Sequence, residues 1–339
     1  MSLKKISQIT GLSIATVSHV INGTRKVSQQ SREKVLEAVN EIGYRPNLAA
    51  RMLRTQKSNT IALVTPGVEP KRSTNYFFMD VITGIRNKLM EVDYDLIVST
   101  YGEPTGEKDL RALQVFKKQW VDGILIVPDR KNSEHIEQIN SLEIPYVLID
   151  RRIDGDRFSS VDSNNEKGAY EAVKLLADSG KRKIGFVGGR MLTSSGHGRF
   201  LGYKKAINDI GLEFNENILA FNDCFSIENG IQSAQKLLEN NVDGIFVADN
   251  LLTMGVFKCL VLNKINIPDK IGIVGYDDYD WMEITNPPLT TVKQQAYQMG
   301  YIAAEILIRK LNGFEGNEKI MLDTKLVVRE SHGYSRMQE

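Results

Sequence analysis

The sequence predicts two unlike parts: an all-α head, residues 1–46, and a two-lobed α/β body, residues 60–339, with a parallel sheet in each lobe and a linker at 47–59 between the parts. Three observations predict it. Residues 3–43 carry apolar side chains at helical spacing, broken at Gly11 and at Asn22-Gly23. From Ile61 onward, short apolar runs alternate with helical stretches, the pattern of buried parallel strands. Val121-Asp122-Gly123-Ile124 recurs as Val242-Asp243-Gly244-Ile245, each opening a strand after a helix, which implies two similar halves with a cleft between them. A length of 339 residues asks for two or three domains on its own.

In the head, Leu3 to Thr10 reads as a first helix with Leu3, Ile6 and Ile9 on its apolar face. Gly11 breaks it, and Ser13 stands as N-cap of a second helix whose apolar residues are Ile14, Val17, Val20 and Ile21. A third helix starts from a Ser28 or Ser31 cap and runs through Val35, Leu36, Val39 and Ile42 to Gly43. Tyr44-Arg45-Pro46 stops it, because the residue before proline avoids helical backbone. A short amphipathic piece, 47–54, leads into the polar stretch 55–59.

In the body, strands are expected at 61–66, 95–100, 122–128, 145–150, 183–189, 218–223, 243–249 and 271–278, with a last one at 325–329. Charge divides along the same boundary. Residues 1–57 hold ten Lys/Arg against three Glu, whereas the remainder holds 33 basic and 39 acidic residues. A basic head on an acidic body fits a head that meets a polyanion. Cys224 and Cys259 lie far apart with no metal-ligand spacing around them, so neither a zinc site nor a disulfide is expected, and a reducing cytoplasm fits. The start MSLKKISQITGL lacks the apolar core of a signal peptide, and no apolar run reaches membrane-spanning length. No cofactor is expected: Val187-Gly188-Gly189-Arg190 is not a dinucleotide fingerprint, no phosphate-loop lysine occurs, and the four histidines are scattered.

Two short helices joined at a glycine, with a third behind, make a helix-turn-helix. Its second helix lies in the major groove and its first residues meet base edges. Ile14, Ala15, Thr16 and His19 then face DNA while Val17, Val20 and Ile21 pack inward. The hydroxyls of Ser13, Thr16 and Ser18 suit phosphate or base contacts, and Asn22 closes the same helix. His19 can donate to a purine N7 or O6, with Arg25 near enough in sequence to join it.

The run ATVSHVINGTRKVSQQSREKV, followed by EIGYRPNLAARMLRTQKSNTIALVTP, resembles the lactose-repressor family of bacterial transcription regulators, and the resemblance extends over essentially the whole chain. It implies that residues 47–54 form a hinge helix when two subunits meet on DNA, with Asn47, Ala50, Arg51 and Leu53 at the duplex. Leu53 would be wedged into a central base step from the minor groove, where an apolar wedge partly unstacks the step and kinks the duplex. Lys5 and Ser7 depart from the Asp and Ala common in the family, which leaves the first helix's contacts open.

The body resembles a periplasmic sugar receptor of the ribose-binding type. That implies one lobe at about 60–160 and 292–321, and another at about 161–291 and 322–339. It also implies an effector site of Asn75, Phe77, Phe78, Asp150, Arg151, Arg199, Phe225, Asp249, Asp277 and Gln294. The residue types suit a polyol, since aromatic faces cover C–H surface while carboxylates, Arg and Gln bond hydroxyls. Taken singly, Phe77 and Phe78 can be core and Asp277 a strand-end cap. Asp249-Asn250 reverses the order common in the family and puts a carboxylate where an amide is usual.

The expectation is a repressor of a sugar-utilisation operon that binds pseudo-palindromic operator DNA. It would be a homodimer, because one short helix contacts too little DNA, and its effector a monosaccharide or derivative. The tail ESHGYSRMQE has no leucine heptad, so no tail-built tetramer is expected. Control by a phosphoprotein partner, or a sugar receptor without DNA function, are the alternatives; no catalytic constellation supports an enzyme.

Overall fold

The computed structural model describes residues 3–22, 25–44, 57–66, 76–101, 120–128, 141, 143–153, 157–189 and 191–333, with Asn22 as backbone alone. The chain divides into two compact units, Met1–Ser58 and Asn59–Glu339.

The first unit holds α1 (Leu3–Thr10), α2 (Ile14–Asn22) and α3 (Gln29–Glu41). Gly11, at φ 68°, takes the left-handed backbone that ends α1. The Ser7 hydroxyl donates to the Leu12 carbonyl at 2.6 Å and closes the turn, so this departure from the family pattern has a local structural use. Ser13 caps α2, accepting from the Thr16 N–H at 3.1 Å, and Ser28 rather than Ser31 caps α3. Ile6, Val17, Val35 and Ala38 form the core, ringed by Leu3, Leu12, Val20, Ile21, Val39, Ile42 and Tyr44. Two expected core positions lie outside it, Ile9 at 48% exposure and Leu36 at 45%. The apolar stripe of each short helix is wider than its two neighbours can cover.

The second unit contains two six-stranded sheets of the same winding. The first, ordered β11-β5-β4-β3-β1-β2, comprises β1 (Thr60–Pro66), β2 (Asp95–Tyr101), β3 (Gly123–Ile126), β4 (Tyr146–Ile149), β5 (Ser160–Ser163) and β11 (Lys319–Leu322). The second, ordered β12-β10-β9-β8-β6-β7, comprises β6 (Ile184–Gly188), β7 (Leu219–Phe221), β8 (Gly244–Val247), β9 (Gly272–Tyr276), β10 (Thr290–Lys293) and β12 (Lys325–Val327). Pairing is parallel throughout except where β12 runs against β10. The repeated tetrapeptide opens β3 and β8, which hold equivalent places. Asp122 accepts from the Asn59 N–H at 2.9 Å just before β1, and Asp243 accepts from the Lys183 N–H at 2.8 Å just before β6.

Helices α4 (Tyr76–Met90) and α9 (Ala296–Leu311) cover the first sheet. The second is covered by α5 (Asn165–Asp178) with α6 (Ser194–Ile210), and by α7 (Ile227–Glu239) with α8 (Asn250–Leu262). The chain therefore passes between lobes three times, at 163–165, 293–296 and 322–325. The first two passages lie a few residues beyond the expected 160 and 291, because β5 and β10 belong to the sheets although neither is a long apolar run. Where α4 meets α9 the backbones touch: a Cβ on Gly84 would collide with the Tyr297 carbonyl, and one on Gly300 with that of Val81.

Candidate functional site

On α2 the sequence sorts itself by exposure. Val17 is fully buried, Ser13, Ile14 and Ala15 are exposed, and Thr16, Ser18 and His19 are half-buried. Ile14, at 48% exposure, contributes nothing to the head's core and is available to a partner. Arg25 and Lys26 stand exposed beyond the helix end. The Ser13 hydroxyl is partly committed, since it caps Thr16 and lies 2.8 Å from that residue's own hydroxyl. The Asn22 side chain and the hinge residues Asn47, Ala50, Arg51 and Leu53 lie outside the described residues.

In the body, Asp150 and Asp277 occupy equivalent points, just past the carboxyl ends of β4 and β9. Both are buried and both take left-handed backbone, at φ 66° and 64°, which aspartate tolerates better than most residues. The Asp277 carboxylate accepts from Gln294 Nε2 at 2.7 Å and from Asn250 Nδ2 at 3.0 Å. Arg199, on α6, lies with its guanidinium 3.7 Å from the centre of the Tyr276 ring. Its Nε donates to Asn165 Oδ1 at 2.8 Å, its Nη1 to the Ala248 carbonyl at 2.8 Å, and Tyr276 donates to the same Asn165 oxygen at 3.0 Å. From the first lobe, Asp150 pairs with Arg151 Nε at 3.3 Å, and Arg151 Nη1 donates to the Pro128 carbonyl at 2.9 Å.

One guanidinium thus sits among carboxylates in a poorly hydrated place. Burial raises the Asp277 and Asp150 carboxyls above their ordinary range; Arg199 pulls the first back, and Arg151 then Arg199 the second. Asp249 is pushed up to about 6, by burial first, against the two backbone N–H groups it accepts. Burial also pushes Tyr276 up to about 12, so its phenol stays a donor. The ring of polar groups can hold a small, hydroxyl-rich ligand by several directed bonds.

The structure sorts the other expected residues unevenly. Phe77 is only 6% exposed and belongs to the first lobe's core, edge-on to Phe78 at 5.3 Å, so packing accounts for it. Phe78 is half-buried at the margin of that core. Phe225 lies over Gly189, where a Cβ would collide with its ring. Asp249 caps α8, one oxygen accepting from the N–H groups of Leu251 at 2.9 Å and Leu252 at 3.0 Å. The reversed Asp249-Asn250 order therefore gives the cap to the carboxylate and brings the Asn250 amide to Asp277. Asn75 lies outside the described residues. Sequence reasoning missed Asn165, Asn250, Tyr276 and Tyr279 as members of this cluster; Asn250 and Tyr276 flank positions it had singled out. Among the described residues no group of His, Cys, Asp or Glu is placed to hold a metal, and no helix is long and apolar enough to cross a membrane.

Comparison with known proteins matches residues 2–47 to the model for bacterial regulatory proteins of the lacI family, and residues 158–332 to a periplasmic binding protein-like domain. The chain is 33% identical to the HTH-type transcriptional regulator RegA of Clostridium saccharobutylicum over 97% of its own length and 98% of that protein's. It is 30% identical to the ribose operon repressor of Haemophilus influenzae, again over 97% and 98% of the two chains. A solved complex of the transcriptional regulator CelR with cellobiose superposes with a TM-score of 0.75 at 28% identity, covering 98% of this chain and 99% of that one. The lac repressor dimer bound to operator and the anti-inducer ONPF shares the fold, with a TM-score of 0.86 at 22% identity over 98% and 99% of the chains. These relatives are regulators and not enzymes, and the chain belongs with them to the lacI family of bacterial regulatory proteins, as a DNA-binding regulator of transcription.

Proposed function

We propose that this protein represses genes for sugar use and that a monosaccharide or close derivative, bound between the lobes, controls it. Residues 1–46 would read the operator through Ser13, Ile14, Ala15, Thr16, Ser18, His19, Asn22 and Arg25, and residues 47–59 would be the hinge. As a homodimer it would bind a pseudo-palindromic site in the bacterial cytoplasm. The effector would be held by Asp150, Arg151, Arg199, Asp277 and Gln294, with Asn250 added and Phe78 and Phe225 as apolar walls.

One observation carries the sugar reading. Among the described residues Gln294 Oε1 is buried without a hydrogen-bond partner, while its own Nε2 and the Asn250 amide are both held by the Asp277 carboxylate. A buried acceptor left unpaired costs about 1–3 kcal/mol, and a ligand hydroxyl would relieve it. The names of relatives point the same way, a ribose operon repressor and a regulator solved with cellobiose.

The test is a thermal-shift screen of the full-length protein against pentoses, hexoses, their phosphates and cellobiose. A true effector at a hundred times its Kd adds about 2.7 kcal/mol of stability, a rise of several degrees. If no sugar in the panel moves the melting temperature, the sugar reading falls.

A further inference from the structure

Between β9 and β10 runs the segment 277–289, and Asp277 is its first residue. One arginine from beyond β12 holds that segment at three points. Arg329 Nη1 donates to Asp278 Oδ1 at 2.7 Å and to the Leu289 carbonyl at 2.8 Å, and its Nη2 donates to Glu283 Oε1 at 2.9 Å. Its own backbone is fixed, since the Arg329 N–H donates to Thr290 Oγ1 at 2.8 Å. Two residues on, Ser331 is fully buried. Its hydroxyl accepts from the Thr290 N–H at 2.8 Å and donates to the Ile273 carbonyl at 2.7 Å, which stitches the tail to both strands.

Asp278 carries the hold onward. Its Oδ1 also accepts from Thr291 Oγ1 at 2.7 Å, and its Oδ2 pairs with Lys293 Nζ at 3.6 Å. Two neighbouring carboxylates therefore tie the end of β9 to the end of β10 through separate partners. Asp277 takes Gln294, at 2.7 Å, and Asp278 takes Thr291 and Lys293. Burial opposes the charge on Asp278, but the bonds from Arg329 and Thr291 outweigh it and hold the carboxyl below its ordinary range. Asp277 stands in left-handed backbone, which persists where its surroundings over-determine it. We propose that Arg329, acting through Asp278, is a positioning residue of the effector site: it fixes the chain after β9 so that Asp277 and Gln294 stay paired. A lysine ammonium, a single point of charge, cannot span Asp278, Leu289 and Glu283 as the planar fork does. That the pair meets an effector rests on the function proposed above; that Arg329 holds the pair does not.

Arg329→Lys keeps the charge and loses the fork, whereas Asp278→Asn keeps the shape and loses the charge. Hydrogen exchange of the Gln294 side-chain amide, read by NMR on the full-length protein without sugar, tests the hold on the pair. It should be about fivefold faster or more in both variants, the factor one neutral hydrogen bond is worth, with backbone amides of β6 at their wild-type rates. Asp278→Asn decides alone if Arg329→Lys does not fold. An unchanged Gln294 amide overturns the proposal; faster exchange confined to 329–333 would then mean that the arginine merely fastens the tail. Equal acceleration in β6 overturns it too, as general loosening. A second readout separates positioning from packing. Calorimetry with whichever sugar of the thermal-shift panel binds the wild type should show about fivefold weaker binding in Arg329→Lys. On an Asp277→Asn background the same change should weaken binding by less than about twofold, because its route is already cut. An equal factor in both backgrounds overturns the route through Asp277. If no sugar in the panel binds, the sugar reading falls, and the exchange result still decides whether Arg329 holds the pair.

Discussion

Asp277 and Asp150 combine two demands that few residues meet together: left-handed backbone at a strand end, and a buried carboxylate acceptor. Asparagine shares the first property but offers one neutral acceptor oxygen and an NH2 donor in place of two carboxylate oxygens. Asp277→Asn should therefore fold as wild type yet bind the effector about tenfold or more weakly, since hydrogen bonds to a charged group are worth about 1.5–3 kcal/mol. Calorimetry with the sugar found by screening checks it; wild-type affinity would remove Asp277 from the site. A second carboxylate makes a prediction about pH. Asp162 is 5% exposed and is pushed up to about 6, by burial first, with Arg152 pulling it back. The folded state then holds its proton more tightly than the unfolded chain does. Its share of stability is full at pH 4, falls as pH rises through 6 and is lost above. Asp162→Asn should be more stable than wild type at neutral pH, by up to about 3 kcal/mol, and lose that advantage near pH 4. Urea unfolding at the two pH values measures the difference. At this scale the sequence was only partly readable. The residue types around the cleft were legible, but whether an aromatic faces it or the core was not: Phe77 and Phe78 are adjacent, and only the helix's orientation separates them. Nor can spacing reveal that Asp249 spends an oxygen on a helix cap.

Strand–helix alternation gave most elements, because buried parallel strands are apolar runs and little else is. The elements it missed are informative. β5 is Ser160-Val161-Asp162-Ser163, buried at every position yet mostly polar, and it sits where the chain leaves one lobe for the other. β10, Thr290-Thr291-Val292-Lys293, precedes the second passage and is likewise mixed. Polar side chains in such strands find partners inside their own lobe, as Thr290 does at His332 Nδ1 (2.9 Å) and Thr291 at Asp278 (2.7 Å), so hydrophobicity alone does not mark these strands. The repeated Val-Asp-Gly-Ile was a reliable guide because each copy has a mechanical use, its aspartate accepting the N–H groups that precede the neighbouring strand. The contact of α4 with α9 shows the same economy. A methyl group on Gly300 would meet the Val81 carbonyl, so Gly300→Ala must push the helices apart and should cost about 1–3 kcal/mol. Denaturant melts read the loss, and an unchanged midpoint would mean that the helices are free to separate.

The two lobes are joined by three covalent passages and touch through bonds that exist only while they are close. One of these is the Arg152 N–H donating to Ser194 Oγ at 2.9 Å, with the arginine after β4 in the first lobe and the serine opening α6 in the second. On the proposed reading, a ligand held by Asp150 and Arg151 from one side, and by Arg199 and Asp277 from the other, would favour the arrangement in which the lobes are close, by its differential affinity alone. Operator DNA, if it too distinguishes the arrangements, must be linked to the ligand by the same free energy in both directions. Ser194→Ala removes a bond of the closed form without touching a residue assigned to the effector or to DNA. It should weaken sugar binding by about two- to fivefold, the worth of one partly solvated hydrogen bond. Its effect on DNA has a sign that needs no knowledge of whether the ligand induces or corepresses. Because the variant moves the population away from the ligand-bound arrangement, its operator affinity without sugar must shift in the direction opposite to the shift sugar produces in wild type. Anisotropy titrations of both proteins, with and without the sugar, give the four affinities required. A shift in the same direction would show that closure of this cleft is not what the DNA-binding state follows.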